Sequence, residues 1–113
     1  MQEEEASPRR VVARAGELDQ DSMRRFVVGS IPVLLVHAED GAYYAIQDTC
    51  THEDFSLSEG ELLRFDVECP AHGSRFDVRT GRVRNLPAVM AAETYRVEVE
   101  GENIVIDVSR AAS

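Results

Sequence analysis

Short strand-like patterns occupy both ends of the chain. R-R-F-V-V ends at a Gly-Ser pair, and the I-P-V-L-L-V-H-A that follows is apolar on both faces, which is typical of a central strand. Pro32 cannot donate a ladder hydrogen bond, so we expect it at the first residues of that strand or at an edge. Asp40-Gly41 predicts a hairpin turn with positive φ angles, and Y-Y-A-I returns as the partner strand. Near the C-terminus T-Y-R-V-E-V-E alternates, G-E-N turns the chain and I-V-I-D-V follows. No stretch resembles an amphipathic helix, so the pattern predicts an antiparallel all-β domain.

The middle of the chain lacks this regularity. From Gln47 to about Arg84 short apolar pieces are separated by turn residues, as if an excursion were inserted between the first and last strands. We therefore expect a mobile tail at 1–8, a single domain over 9–108 and a short tail at 109–113. Within the domain, base strands are predicted in about 9–46 and 85–108, and the inserted unit in about 47–84.

Composition narrows the possible partners. The 113 residues carry a net charge of −9, from 21 acidic and 12 basic side chains. This argues against nucleic acid and against an anionic membrane surface, both of which require clustered Lys and Arg. The longest apolar run, Ile31 to Val36, is far shorter than the roughly 20 residues of a membrane span. No export signal is evident, so we expect a soluble, cytoplasmic protein. We also expect a monomer.

The chemistry of the excursion lies in two Cys/His pairs. C-T-H supplies Cys50 and His52, and C-P-A-H supplies Cys69 and His72, which accounts for both cysteines and two of the three histidines. A structural zinc site accepts this donor set, but zinc fingers usually keep like ligands together. A second interpretation is two thiols and two histidines without a shared role. A third is a [2Fe–2S] cluster in which two histidines replace two cysteines on one iron, and this explains why the ligand types interleave.

The two boxes resemble those of a known family. C-T-H and C-P-A-H-G resemble the paired C-x-H and C-x₂-H-G boxes of Rieske proteins, and much of the chain resembles the small Rieske-type ferredoxins of bacterial oxygenase systems. The resemblance implies a three-sheet fold, with a base domain and a cluster-binding subdomain. It also implies one Rieske-type cluster, with Cys50 and Cys69 on an inner ferric iron and His52 and His72 on an outer iron near the surface.

The resemblance implies an electron carrier and not an enzyme. Such a ferredoxin takes single electrons from a flavin-dependent NAD(P)H reductase and passes them to a terminal oxygenase, here expected to be an aromatic ring-hydroxylating one. A terminal oxygenase needs a second iron site of two histidines and a carboxylate, and only His37 remains once the four ligands are assigned. Two alternatives stay open: a Rieske subunit or redox partner of a non-oxygenase enzyme, and a zinc-stabilised β module for protein binding.

The residues beside the two Cys/His boxes predict a reduction potential that is low for a Rieske protein. The respiratory Rieske proteins carry an extra disulfide between the cluster loops, whereas Asp54 and Ala71 stand here and no further cysteine exists. Those proteins also bond the cluster sulfur through a Ser and a Tyr; Ser74 matches the Ser, but Phe76 replaces the Tyr. We expect a potential toward the low end of about −150 to +300 mV, with some increase from Ser74.

Overall fold

The regular structure of the chain is almost entirely β. The computed structural model describes residues 7–52, 54–71, 73–86 and 88–112, and the antiparallel all-β prediction is confirmed within them. None of the helices in those ranges is long and apolar enough to cross a membrane. The strands are β1 Arg9–Arg14, β2 Ser22–Val28, β3 Ile31–His37, β4 Tyr43–Gln47, β5 Glu61–Leu63, β6 Asp66–Glu68, β7 Arg75–Asp77, β8 Thr94–Glu100 and β9 Asn103–Ala111, with one 3₁₀ turn at Leu57–Glu59.

A six-stranded sheet forms the base, in the order β1-β9-β8-β4-β3-β2, and a three-stranded sheet, β5-β6-β7, forms the excursion. The two halves of the base sheet meet at β4 and β8 through only two residue pairs, Ala45 with Tyr95 and Ile46 with Thr94. The two base sheets that the resemblance implies are therefore one hydrogen-bonded sheet in two halves. The sheet edges also approach each other, because Arg10 of β1 donates to the Val27 carbonyl of β2 at 2.6 Å.

β3 is buried on both faces, as its sequence predicts. Val33 and Leu35 point into a core inside the base, whereas Leu34 and Val36 point into a second core that the excursion covers. Pro32 is the second residue of the strand, where its missing N–H breaks no inner ladder bond. One central strand therefore carries both cores, and its partner β4 leads directly into the excursion.

The turn after β3 differs from the prediction in one residue. Gly41 has a φ of +85°, but Asp40 is outside the left-handed region. Asp40 instead holds the turn through its side chain, because its carboxylate accepts the Ala42 N–H at 3.0 Å. Only one of the two predicted positive φ angles is therefore present.

The two C-terminal base strands lie where the sequence pattern places them. Strand β8 begins at Thr94, the first residue of the alternating stretch, and β9 continues to Ala111. Most of the predicted N-terminal tail lies outside the described residues, but the Pro8 carbonyl accepts the Val108 N–H at 2.8 Å. The division of the domain into a base and a cluster-binding subdomain stays a prediction.

A buried carboxylate holds the excursion together. Asp77, at the end of β7, accepts hydrogen bonds from the backbone and guanidinium of Arg79 and, at 2.9 Å, from Arg84. Burial raises the pKa of Asp77, but the hydrogen bonds and charges of the two arginines outweigh it, so the pKa lies below its ordinary value.

This network predicts an acid dependence of stability. A lowered carboxyl pKa stabilises the fold above the ordinary pKa of about 3.9, and the contribution is lost as the pH falls through the folded-state value. We expect Asp77→Asn to lower the free energy of unfolding by roughly 1–3 kcal/mol at neutral pH. Urea unfolding of the wild-type protein and of Asp77→Asn should show that this difference in free energy shrinks below about pH 4. A difference that stayed constant down to pH 3 would rule out the ionised carboxylate as its source.

Candidate metal centre

Loop one, residues 50–55, is a tight turn that follows β4. Thr49 and Ser56 form a β-bridge at its base, and the Cys50 N–H donates to the Phe55 carbonyl at 2.9 Å. Glu53 lies outside the described residues. The bridge and the hydrogen bond together fix Cys50 at the root of the loop.

Loop two, residues 69–74, connects β6 to β7 and repeats this geometry. The Cys69 N–H donates to the Ser74 carbonyl at 2.7 Å, so each cysteine bonds the residue five positions further on. The Gly73 N–H closes an inner turn to the Cys69 carbonyl at 3.1 Å, with a φ of +81° that favours glycine. Two loops of the same size therefore present their cysteines at equivalent positions.

Both thiols are buried in the same core. Cys50 is 4% and Cys69 is 1% exposed, no disulfide joins them, and both belong to the apolar cluster that contains Leu57 and Phe76. His52, by contrast, is exposed, and its backbone N–H donates to the Cys50 sulfur at 3.4 Å. The expected arrangement, with sulfur inside and imidazole near the surface, agrees with these three residues.

His72, the fourth predicted ligand, lies outside the described residues. In the part of the chain that the structure describes, no three Cys, His, Asp or Glu side chains converge as a metal site. The donor set nevertheless fits a Rieske-type [2Fe–2S] cluster, because two buried thiols on equivalent loops and an outward imidazole suit its two unlike irons. The assignment of Cys50, His52, Cys69 and His72 as ligands is therefore a proposal.

Asp48 anchors loop one and was missed by sequence reasoning. Its side chain is fully buried; it accepts from the Arg25 guanidinium at 3.1 Å and from the Ser58 N–H at 2.9 Å. A buried carboxylate with a charged partner and a backbone donor is costly to disrupt. Nothing local in the sequence distinguishes Asp48 from a turn residue, since Arg25 is 23 positions away.

The connecting segment, residues 84–93 apart from Pro87, crosses between the two loops. The Thr51 hydroxyl of loop one donates to the Met90 carbonyl at 2.7 Å, and the Ala88 N–H donates to the Ser74 hydroxyl oxygen of loop two at 2.9 Å. The segment thus ties both loops to one piece of backbone.

Asn85 gives the connecting segment a second attachment to loop two. Its side-chain oxygen accepts the Arg75 N–H at 2.7 Å, and its side-chain nitrogen donates to the Gly73 carbonyl at 3.1 Å. Gly73 directly follows His72 in the chain, so Asn85 fixes the backbone beside the fourth predicted ligand. Its partners are 10 and 12 residues away, and no sequence motif indicated them.

The aromatic residues near the loops divide into two roles. Phe76 is fully buried in the core beneath the loops, whereas Phe55 is 45% exposed at the end of loop one. His37 is remote from both boxes: its Nδ1 lies 2.8 Å from the Leu18 carbonyl and its ring stacks on Tyr43 at 4.2 Å. These contacts place His37 among base residues at the end of β3.

Ser74 is a residue whose change we expect to alter the reduction potential. It is 1% exposed, and its oxygen accepts the Ala88 N–H. A hydroxyl that accepts one hydrogen bond can still donate its own proton, which in the proposed site would go to a cluster sulfur. We expect Ser74→Ala to lower the midpoint potential by roughly 40–90 mV, equivalent to about 1–2 kcal/mol for one electron. Thr51→Val is the control, because it also loses a hydrogen bond to the connecting segment but keeps the Ser74 hydroxyl. Redox titration of both variants separates the loss of a hydrogen bond to sulfur from the loss of an attachment to that segment. An equal shift in both variants would exclude a hydrogen bond from Ser74 to sulfur.

Comparison with known proteins agrees with this geometry. The family model of the Rieske [2Fe-2S] domain matches residues 9–106. The chain is 40% identical over 96 residues to the ferredoxin component of biphenyl 2,3-dioxygenase from Rhodococcus jostii (strain RHA1), covering 85% of this chain and 89% of that protein. It is 40% identical over 76 residues to the ferredoxin component of the naphthalene 1,2-dioxygenase system of Pseudomonas aeruginosa, covering 67% of this chain and 73% of that protein.

A solved structure shares the fold. The match is to a chain from the complex of reduced oxygenase and oxidized ferredoxin in carbazole 1,9a-dioxygenase, with a TM-score of 0.85 and 32% identity. It covers 93% of this chain and 96% of that one. The likeness therefore includes the base sheet as well as the excursion.

Proposed function

Since the chain belongs to the Rieske [2Fe-2S] family, we propose that it carries single electrons from an NAD(P)H-dependent flavin reductase to a terminal oxygenase. The relatives are ferredoxin components of dioxygenase systems, and the chain is likewise an electron-transfer component and not an enzyme. We propose an aromatic ring-hydroxylating oxygenase as the acceptor, because the two curated relatives serve biphenyl and naphthalene dioxygenases.

The equivalent burial of Cys50 and Cys69 on two matching loops is the observation that supports this role most directly. In the proposal both thiolates bind the inner iron, and His52 and His72 bind the outer one. When bound, the cluster supplies reversible one-electron chemistry. The backbone N–H of His52 donates a hydrogen bond to the Cys50 sulfur. This hydrogen bond withdraws negative charge from the sulfur and favours the reduced state of the cluster.

The thiol side of the site is buried, and the histidine side is exposed. Phe76 and Leu57 exclude water from the thiol side, which keeps the sulfur ligands in an apolar environment. The exposed position of His52 places an imidazole edge at the surface, where a partner can approach it. The electron would therefore enter and leave on the histidine side.

Reconstitution tests the proposed function. We expect the purified protein to stimulate substrate oxidation by the oxygenase components of the biphenyl or naphthalene systems when their reductase supplies electrons. The matched control is Cys69→Ser, which removes a proposed inner ligand and should abolish the stimulation. If the wild-type protein is reduced by none of the reductases and reduces none of the oxygenases, the proposed function is wrong and the protein carries electrons in another kind of system.

The acidic charge predicts that electron transfer slows as salt rises. With a net charge of −9, the carrier is steered toward a basic partner surface, and steering of this kind is screened beyond about 10 Å at 0.1 M salt. We expect the second-order rate constant for oxygenase reduction to fall by about 10-fold or more between roughly 0.02 and 0.5 M NaCl. Stopped-flow measurement across this range checks the expectation, and a flat profile would exclude electrostatic docking.

We further propose a monomer in the cytoplasm. NAD(P)H, the electron source of the proposed reductase, is a cytoplasmic reductant, and cysteines that bind a metal suit a reducing compartment. Sedimentation equilibrium should give a mass close to 12.6 kDa for the protein alone. A mass of twice that value would make the carrier a dimer.

A further inference from the structure

Asp48 lies where the chain enters loop one, and it also contacts the residues that follow the loop. It is fully buried, and Cys50 comes two positions after it. Its side chain accepts the Ser58 N–H at 2.9 Å, and its backbone carbonyl accepts the Leu57 N–H at 2.6 Å. Its own N–H donates to the Pro32 carbonyl of β3 at 3.1 Å. One residue therefore closes the loop and attaches it to the base sheet.

The turn that Asp48 holds lies directly against loop two. It is the 3₁₀ turn Leu57–Glu59, and Gly60 follows it. A Cβ added to Gly60 would lie 1.7 Å from the Glu68 carbonyl oxygen, and Glu68 directly precedes Cys69 in the chain. The two segments approach so closely that only glycine fits between them. A displacement of the turn would therefore move the backbone that carries Cys69.

Arg25 is the cation that pairs with Asp48. It lies on β2 directly opposite Leu34 of β3, so it is on the face that the excursion covers. Its Nε donates to the Asp48 carboxylate at 3.1 Å. The side chain of Arg25 is 46% exposed, whereas that of Asp48 is 1% exposed. Water screens the guanidinium, but the charge of the carboxylate acts through the apolar interior. The pair therefore presents net negative charge to the buried side.

The buried side is also the side of the two thiols. Leu34, Cys50 and Cys69 belong to one apolar cluster, and Asp48 enters this region two residues before Cys50. Reduction of a cluster held there adds one negative charge, and a buried carboxylate nearby opposes that addition. The exposed Arg25 favours reduction, but more weakly because solvent screens it.

We propose that Asp48 is a positioning residue of the metal centre and that its charge lowers the reduction potential, an inference that rests on the proposed function. Asp48 is not a ligand in this proposal. It acts on loop one through its backbone and the Ser58 N–H, and on loop two through the turn that contacts Glu68. Arg25 offsets part of the negative charge, so the two residues change the potential in opposite directions.

Removal of each charge tests this assignment. Asp48→Asn keeps the size of the side chain and an oxygen for the Ser58 N–H, but it removes the negative charge. We expect redox titration to show that the equilibrium constant for one-electron reduction rises about tenfold, which corresponds to 59 mV. Arg25→Gln should lower the same constant about threefold, because its charge is screened. The double variant should lie between the wild-type protein and Asp48→Asn.

Arg24→Gln is the matched control. Arg24 precedes Arg25 on β2 and is also exposed, but strand alternation places it on the opposite face. The equilibrium constant for reduction should change less than twofold in this variant. Iron content and the EPR spectrum of each variant show that the potentials are measured on protein that holds its cluster.

The outcomes separate this proposal from the proposed function. An unchanged or lowered potential in Asp48→Asn would overturn the proposal, as would an unchanged or raised potential in Arg25→Gln, although the carrier role stands. If Asp48→Asn loses its iron while Arg25→Gln keeps it, the positioning role is supported and the sign of the Arg25→Gln shift decides the effect of charge. Loss of iron from both variants, but not from Arg24→Gln, would make the pair a support of the fold and overturn the proposal. If the wild-type protein holds no iron and sulfide, both proposals fail together.

Discussion

Replacing His52 with alanine is expected to remove the metal centre. His52 is the one proposed imidazole ligand among the described residues, and it is an exposed residue of loop one. Removal of a group that merely supports a ligand costs roughly 10–100-fold in metal affinity, and loss of the ligand itself costs more. The iron content and the visible absorption of the purified variant should therefore fall at least about 10-fold below those of the wild-type protein.

His37 provides the control for this prediction. It is the third histidine of the chain; it contacts Leu18 and stacks on Tyr43, away from both loops. We expect His37→Ala to keep the iron content and the absorption bands, with at most a loss of stability from the missing contacts. Equal loss of iron in both variants would show that the effect is general unfolding. Full retention of the bands in His52→Ala would exclude His52 as a ligand.

The second large effect is expected at Gly81. This residue has a φ of +81°, and a Cβ at this position would lie 2.0 Å from the Ala92 carbonyl oxygen of the connecting segment. The Gly81 carbonyl also accepts the Ala92 N–H at 2.8 Å, so the two backbones cannot separate without losing that hydrogen bond. We expect Gly81→Ala to lower the free energy of unfolding by roughly 3–5 kcal/mol, from left-handed strain and overpacking together.

Gly41 isolates the contribution of the clash. Its φ of +85° matches that of Gly81, but no atom lies within 4 Å of a Cβ added there. Gly41→Ala should therefore cost only about 1–2 kcal/mol, from backbone strain alone. Urea unfolding of the two variants measures the difference. Equal losses would mean that the connecting segment moves away from Gly81 easily and does not hold the loops firmly.

Local patterns in the sequence predicted the features that depend on neighbouring residues. The two-sided apolar run of β3 and the first part of β8, where Tyr95 is buried and Val97 is partly buried, are each visible in a window of a few residues. Val99, near the end of β8, is half exposed, so the alternation does not match burial there. The burial of Cys50 and Cys69 agrees with the expected inner position of the thiolates. In these places the sequence pattern and the tertiary packing require the same residues.

Contacts between distant residues could not be predicted in this way. Asp48 pairs with Arg25 across 23 positions, and Asn85 reaches back to Gly73 across 12. Both are polar residues in irregular segments, where a turn residue and an anchoring residue have the same local signature. The continuity of the base sheet was missed for a related reason, since it rests on two residue pairs between β4 and β8, which are far apart in sequence.

The metal content of protein purified without oxygen tests the central claim most directly. We expect two irons and two acid-labile sulfides per chain, visible absorption in the oxidised protein, and a paramagnetic EPR signal after one-electron reduction. Measurement of iron, zinc and sulfide on one sample, together with its EPR spectrum, covers the competing sites. One zinc per chain, with no sulfide, no colour and no EPR signal, would contradict the cluster and with it the carrier role.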